Sequence, residues 1–204
     1  LDAWWPADDP FEIMVGAVLT QNTAWTNVEK AILQLKQHHL LDAQAIMASD
    51  IDLLAQVIRP SGYYNIKAKR LRSLCAWYLQ QGGVEVLATW SMADLRAGLL
   101  AVNGVGPETA DDIVLYAFYH PVFIIDAYTR RIFSRLGLIN EKDSYDELQA
   151  QFENAIPADV KTYAHYHALI IELGKQWCKT KPRCESCCLR SNCYIGINSD
   201  VRQY

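Results

Sequence analysis

Leu99-Leu100-Ala101-Val102-Asn103-Gly104-Val105-Gly106-Pro107-Glu108-Thr109-Ala110 reads as a helix, a tight glycine turn and a second helix. Glycines supply the backbone freedom such a turn needs and let another chain approach closely. Pro107 fits the first turn of the following helix, where a missing N–H leaves no bond unmade. The N–H groups of Val105, Gly106 and the new helix start could then receive a phosphate, aided by the helix dipole. The same spacing suits an ordinary interhelical turn, and the residues alone leave both readings open.

Outward from this turn the chain reads as all-α. Phe11, Met14, Val15, Val18 and Leu19 follow helical spacing, as do Val28, Ile32 and Leu35. Tyr166, Leu169, Ile170, Leu173 and Trp177 form a late stripe. Asp9-Pro10-Phe11-Glu12 supplies a cap, a proline at the first helical position and an acid at the third. Pro60-Ser61-Gly62 and Gly82-Gly83 punctuate between stripes, and no run alternates as a strand would. The 204 residues suit one domain or two small ones. With 51% hydrophobic and 21% charged residues, a disordered chain is excluded. No apolar run approaches the ~18 residues of a membrane span, and no signal peptide is visible.

The net charge of −4 argues against a general nucleic-acid coat protein but not against a local basic face. Residues 59–72 hold Arg59, Lys67, Lys69, Arg70 and Arg72 and no acid. Residues 175–190 hold Lys175, Lys179, Lys181, Arg183 and Arg190 against Glu185 alone. A charge run is usually a solvated face. Two basic runs in an acidic chain, beside a glycine turn and a cysteine cluster, point to a phosphate-binding surface.

Of six cysteines, Cys75 stands alone and Cys178, Cys184, Cys187, Cys188 and Cys193 crowd together. A disulfide framework would spread through a small secreted chain, so crowding points to a metal or cluster site in a reducing cytosol. Cys178-x5-Cys184-x2-Cys187-x5-Cys193 offers four thiolates, which suit zinc or an iron–sulfur cluster; spacing does not choose between them. Adjacent residues rarely ligate one centre, so Cys188 is assigned to packing. Asp126 ends the apolar run Val122-Phe123-Ile124-Ile125. It suits either a helix cap for Ala127 onward or a partly desolvated catalytic carboxylate. His165 and His167 read as helix-surface or core residues.

Together the hairpin at 99–110, Asp126 and the cysteine loop at 178–193 resemble the helix-hairpin-helix DNA glycosylases of the endonuclease III type, over nearly the whole chain. The resemblance implies two helical lobes, drawn at 1–118 and 119–204. It also implies a 4Fe–4S cluster on Cys178, Cys184, Cys187 and Cys193, with zinc the alternative. The first gap in the cysteine loop has five residues where the family commonly has six. Leu1 aligns inside the family's first helix, which implies an absent N-terminal piece.

Bifunctional members carry a Schiff-base lysine in the hairpin, and Glu108 stands at that position here. A carboxylate forms no imine, so the resemblance implies a monofunctional enzyme with Asp126 as the catalytic group. The N-terminal half is similar to the 3-methyladenine branch, through Trp4-Trp5-Pro6, Leu19-Thr20-Gln21-Asn22-Thr23, Trp25 and Tyr63-Tyr64-Asn65-Ile66-Lys67-Ala68. That places Trp4, Trp5, Pro6, Trp25 and Glu108 in the substrate pocket. Gln21, Tyr63, Asn65, Lys67, Gly104, Val105, Gly106, Lys181 and Arg183 are placed on the DNA. Gln21 would sit near the gap left by a flipped nucleotide, and Tyr63 would wedge into the duplex.

The expected partner is double-stranded DNA carrying a damaged base, met by a monomer in the cytoplasm, with no membrane. The competing readings are an endonuclease III-like enzyme for oxidised pyrimidines or mismatches, a non-catalytic DNA-binding module of the same fold, and an electron carrier.

Overall fold

The computed structural model describes residues 4–198, and its regular structure there is entirely helical. The helices are α1 (Pro10–Leu19), α2 (Trp25–Gln37), α3 (Ala43–Ala48), α4 (Ile51–Val57), α5 (Tyr64–Gln80) and α6 (Val84–Leu87). They continue with α7 (Met92–Leu100), α8 (Pro107–Tyr116), α9 (Ala127–Leu136), α10 (Tyr145–Ala155), α11 (Val160–Gln176) and α12 (Tyr194–Ile197). Short 3-10 turns lie at Arg59–Ser61 and Arg190–Asn192. The chain divides into two compact units, one of residues 5–120 and one of residues 121 onward together with Trp4.

In the first unit α1 starts as its sequence dictates. The Asp9 carboxylate accepts the Glu12 N–H at 2.9 Å, and Pro10 occupies the first helical position. Every residue from Phe11 to Leu19 is buried, so α1 is a central helix and not an amphipathic surface one. It packs against α2, α5 and α8. Helix α8 is buried from Thr109 to Tyr116 and pairs with α7 across the glycine turn. Gly104 sits at φ +90°, and a Cβ there would lie 2.2 Å from Cγ of Arg70, so the turn requires glycine.

In the second unit, Val122–Ile125 run extended and buried without a strand partner. Buried backbone polar groups need partners, and side chains of α10 pair three of them. Glu153 accepts the Phe123 N–H at 2.9 Å, Gln149 donates to the Phe123 carbonyl at 2.7 Å, and the Tyr145 hydroxyl accepts the Ile125 N–H at 3.3 Å. Phe123 stacks on Phe152 at 4.5 Å, and Phe133 meets the same ring edge-on. Gly174 lets the Tyr128 ring lie on α11; a Cβ would meet Cδ1 at 2.1 Å. This packing delivers Asp126 to the start of α9.

Candidate functional site

The hairpin is held from two directions. The Gln21 amide donates to the Gly104 carbonyl and to the Thr109 hydroxyl, each at 3.0 Å, while Arg70 donates to the Gln21 carbonyl oxygen. Gln21 is therefore half-buried and engaged in bracing the turn. Val105 corrects the sequence reading: its N–H closes the turn onto the Val102 carbonyl at 3.1 Å and its side chain is buried. Gly106 remains exposed at the start of α8, with open space where a Cβ would be. Glu108 is exposed in the first turn of α8, where the helix dipole favours an acid.

Lys67 also departs from the expectation of DNA contact. It is 1% exposed, and its ammonium donates to the carbonyls of Leu19 at 2.8 Å and Ser61 at 2.6 Å. Burial, with a smaller contribution from nearby Arg70, lowers it to about 8. A side chain so enclosed cannot meet a phosphate; it ties two loops together. Those loops carry Asn22 and Tyr63, both exposed and both at positive φ (54° and 45°). Tyr63 is 66% exposed, and Asn65 is exposed beside it. Bulky non-glycine residues in this conformation are uncommon and collect at ligand-contacting positions.

Trp5 and Trp25 meet edge-to-face at 5.1 Å, and Trp5 also lies 5.2 Å from Tyr116. With Pro6 they line an open pocket of about 240 Å³, whose lining also includes Glu12, Glu29 and Lys36. Lys36 bridges Glu12 at 2.9 Å and Asp8 at 2.7 Å, and these two partners raise it above the ordinary lysine value. Trp4 is not among the pocket's lining residues; it belongs to the second unit, where the Lys175 ammonium lies 5.8 Å from its ring centre.

Asp126 is a helix cap and is also desolvated. Its Oδ1 caps α9, accepting the Thr129 N–H at 2.6 Å and the Thr129 hydroxyl at 2.7 Å. Its Oδ2 lies 3.7 Å from Nε2 of His167. The residue is only 7% exposed. Burial alone would raise the carboxyl, but nearby His167 and the two Thr129 donors outweigh it and hold the group below its usual range. Asp126 is thus a buried, ionised carboxylate.

Cys178, Cys184, Cys187 and Cys193 are free thiols lining one pocket with Arg135, Arg183 and Arg190. Arg135 donates to the Cys178 sulfur at 3.3 Å and to the Lys179 and Thr180 carbonyls, while Arg131 donates to the Cys178 carbonyl at 2.8 Å. Burial, together with the neighbouring thiols of Cys188, Cys178 and Cys184, raises Cys187 against one lowering backbone bond. Among the described residues, no three His, Cys, Asp or Glu side chains form a group that could hold a single metal ion. Cys188 is exposed and outside the pocket, which corrects its assignment to packing. Lys181 and Arg183 are exposed on the loop.

Sequence reasoning did not single out His167, Asn22 or Arg135 as site residues, and it read Arg70 as part of a basic run and not as a brace of the turn. For His167 a signal existed: with Tyr163 and Ile170 it makes a buried i, i+4, i+7 stripe on α11, whereas His165 is exposed.

Residues 15–158 match the model of the HhH-GPD superfamily of base excision DNA repair proteins. A Methanocaldococcus jannaschii protein assigned by name as a DNA repair glycosylase is 48% identical over 193 residues, covering 93% of this chain and 88% of that one. Endonuclease III of Bacillus subtilis is 29% identical over 95% of this chain and 85% of its own. Among solved structures, an endonuclease III–DNA complex superposes with a TM-score of 0.84 at 27% identity, covering 97% of this chain and 88% of that one. The H. pylori 3-methyladenine DNA glycosylase bound to 1,N6-ethenoadenine gives 0.76 at 34% identity, over 85% of this chain and 88% of that one.

Proposed function

The chain belongs to the HhH-GPD superfamily of base excision DNA repair proteins, and from that premise we propose that it releases alkylated purines from DNA by hydrolysis, without a lyase step. It is a DNA glycosylase of this family; the substrate and the reaction course are our reading. The observation that carries it is the pocket lined by Trp5, Pro6 and Trp25, with Glu12, Glu29 and Lys36 also in its lining. A purine alkylated at a ring nitrogen is cationic, so it leaves without a general acid. Such a base is attracted to aromatic faces, by about 0.5–2 kcal/mol per contact, and to carboxylates. The likeness to the H. pylori 3-methyladenine glycosylase supports the same substrate class.

C–N cleavage develops positive charge on the sugar. Asp126, ionised and fixed by its cap, supplies the compensating negative charge and orients the attacking water. The products are a free base and an abasic site. The base must first leave the stack, at a cost of a few kcal/mol. Exposed Tyr63 fills the resulting gap, while Gly106, Lys181 and Arg183 hold backbone phosphates. Glu108 stands where a lysine would form an imine, and Lys67 is enclosed, so neither serves a Schiff-base route.

For the cysteine pocket we propose a 4Fe–4S cluster. The donor set is all sulfur, and Arg135, Arg183 and Arg190 are among the residues lining the same pocket. The cluster's part is to fold the loop and hold Lys181 and Arg183 in place.

The test is incubation with duplexes carrying methylated purines or oxidised pyrimidines, with released bases separated and identified. The expected result is methylated purines and no adduct trapped by borohydride. Release of oxidised pyrimidines, with a trapped adduct, would replace this reading by an endonuclease III-like one.

A further inference from the structure

We propose that His167 is a positioning residue for base excision, its imidazole holding Oδ2 of Asp126 so that the carboxylate stays ionised and fixed in orientation. This rests on the reading of Asp126 as the group that answers charge on the sugar.

The geometry separates the two oxygens of Asp126. Oδ1 receives the N–H and hydroxyl of Thr129, which are the ordinary bonds of a helix cap. Oδ2 is approached from a different helix by Nε2 of His167 at 3.7 Å. Both residues are buried, at 7% and 5% exposure. A buried carboxylate with one oxygen uncompensated would take up a proton or rotate toward water. A cap alone does not prevent this, because the Thr129 bonds tolerate rotation about the axis through Oδ1. The His167 imidazole, 3.7 Å from Oδ2, opposes it.

The surrounding titratable groups are engaged elsewhere in this unit. On α10, Glu153 accepts the Phe123 N–H and the Tyr145 hydroxyl accepts the Ile125 N–H. On α9, Arg130 donates to the Asp143 carbonyl at 2.9 Å. On α11, the Tyr163 hydroxyl donates to the Ile156 carbonyl. His167 is the cationisable side chain found in salt-bridge range of Asp126.

The test compares His167→Leu and His167→Gln in single-turnover base release, with DNA affinity and melting temperature recorded, and Asp126→Asn alongside. His167→Leu should slow release about 10- to 100-fold, leave DNA affinity within about twofold, and move the acid limb of the pH–rate profile to higher pH. His167→Gln, which keeps an N–H donor near Nε2, should recover most of the rate. A wild-type rate in His167→Leu overturns the proposal. So do equal slowing in both variants and an unmoved acid limb, because those mark a packing role. If His167→Leu does not fold, the rate and acid limb of His167→Gln decide alone: near wild-type release supports the proposal, and slow release with an unmoved limb overturns it. Full activity in Asp126→Asn would remove the carboxylate itself, a failure visible apart from either His167 variant.

Discussion

The turn at Gly104 is held by side chains that reach in from α5 and from the loop before α2, whereas the loop of residues 178–193 is held by backbone bonds and by arginines of α9. Around Gly104, a glutamine, an arginine and a threonine saturate one another, and a buried lysine fixes the flanking loops. Around the cysteines, Arg131 and Arg135 grip the N-terminal edge at Cys178 to Thr180, and the Cys193 thiol donates to the Arg135 carbonyl at 3.4 Å. The rest has a 3-10 turn, the short α12 and few buried side chains. The first turn is braced by packing, whereas the second would be braced by its sulfurs once they hold the proposed cluster. The two segments proposed to present phosphate-binding groups therefore differ in what unfolds them.

Removing a thiolate should do the most. Cys187→Ala is expected to abolish visible absorbance from the cluster and reduce base release below detection, because metal affinity here is folding free energy; circular dichroism should show most helix retained. Retained absorbance and activity would mean that the loop stands on packing after all. Next, Gly104→Ala forces a side chain into positive φ against Arg70 and should cost about 2–4 kcal/mol in urea unfolding. An unchanged midpoint would show that the turn is not tightly braced.

Lys67→Met should cost about 1–3 kcal/mol, since two buried carbonyls lose their donor, while the salt dependence of DNA binding stays as in wild type. A flatter salt dependence would return Lys67 to the interface. Lys67 also carries a pH signature. Folding lowers it to about 8 from 10.5, so between those values the unfolded chain binds more protons. Stability from this site therefore rises with pH across that window, and the gap between wild type and Lys67→Met should widen. The smallest effect belongs to Arg183→Ala, which should reduce the salt slope of DNA binding by about one without affecting the melting temperature.

The sequence made legible what periodicity and special residues encode. The cap at Asp9, the all-helical course, the glycine turn and the gathered cysteines could be read directly, because each depends on neighbours in the chain. Lys67 was misread because its burial depends on carbonyls at Leu19 and Ser61, which nothing local to Lys67 announces. Val105 was misread because a backbone N–H carries no sequence signal of whether its turn closes. Trp4 and Trp5 were read as one motif although they belong to different units. His167 was set aside as a bland helix residue because only the fold brings α11 against the cap of α9.

Single-turnover release of 3-methyladenine by wild type and Asp126→Asn, with duplex affinity measured on the same samples, tests the central claim most directly. Asparagine caps a helix about as well as aspartate, so the substitution removes charge and spares the fold. The account predicts that release is abolished while affinity is kept. Release at the wild-type rate from Asp126→Asn would contradict it.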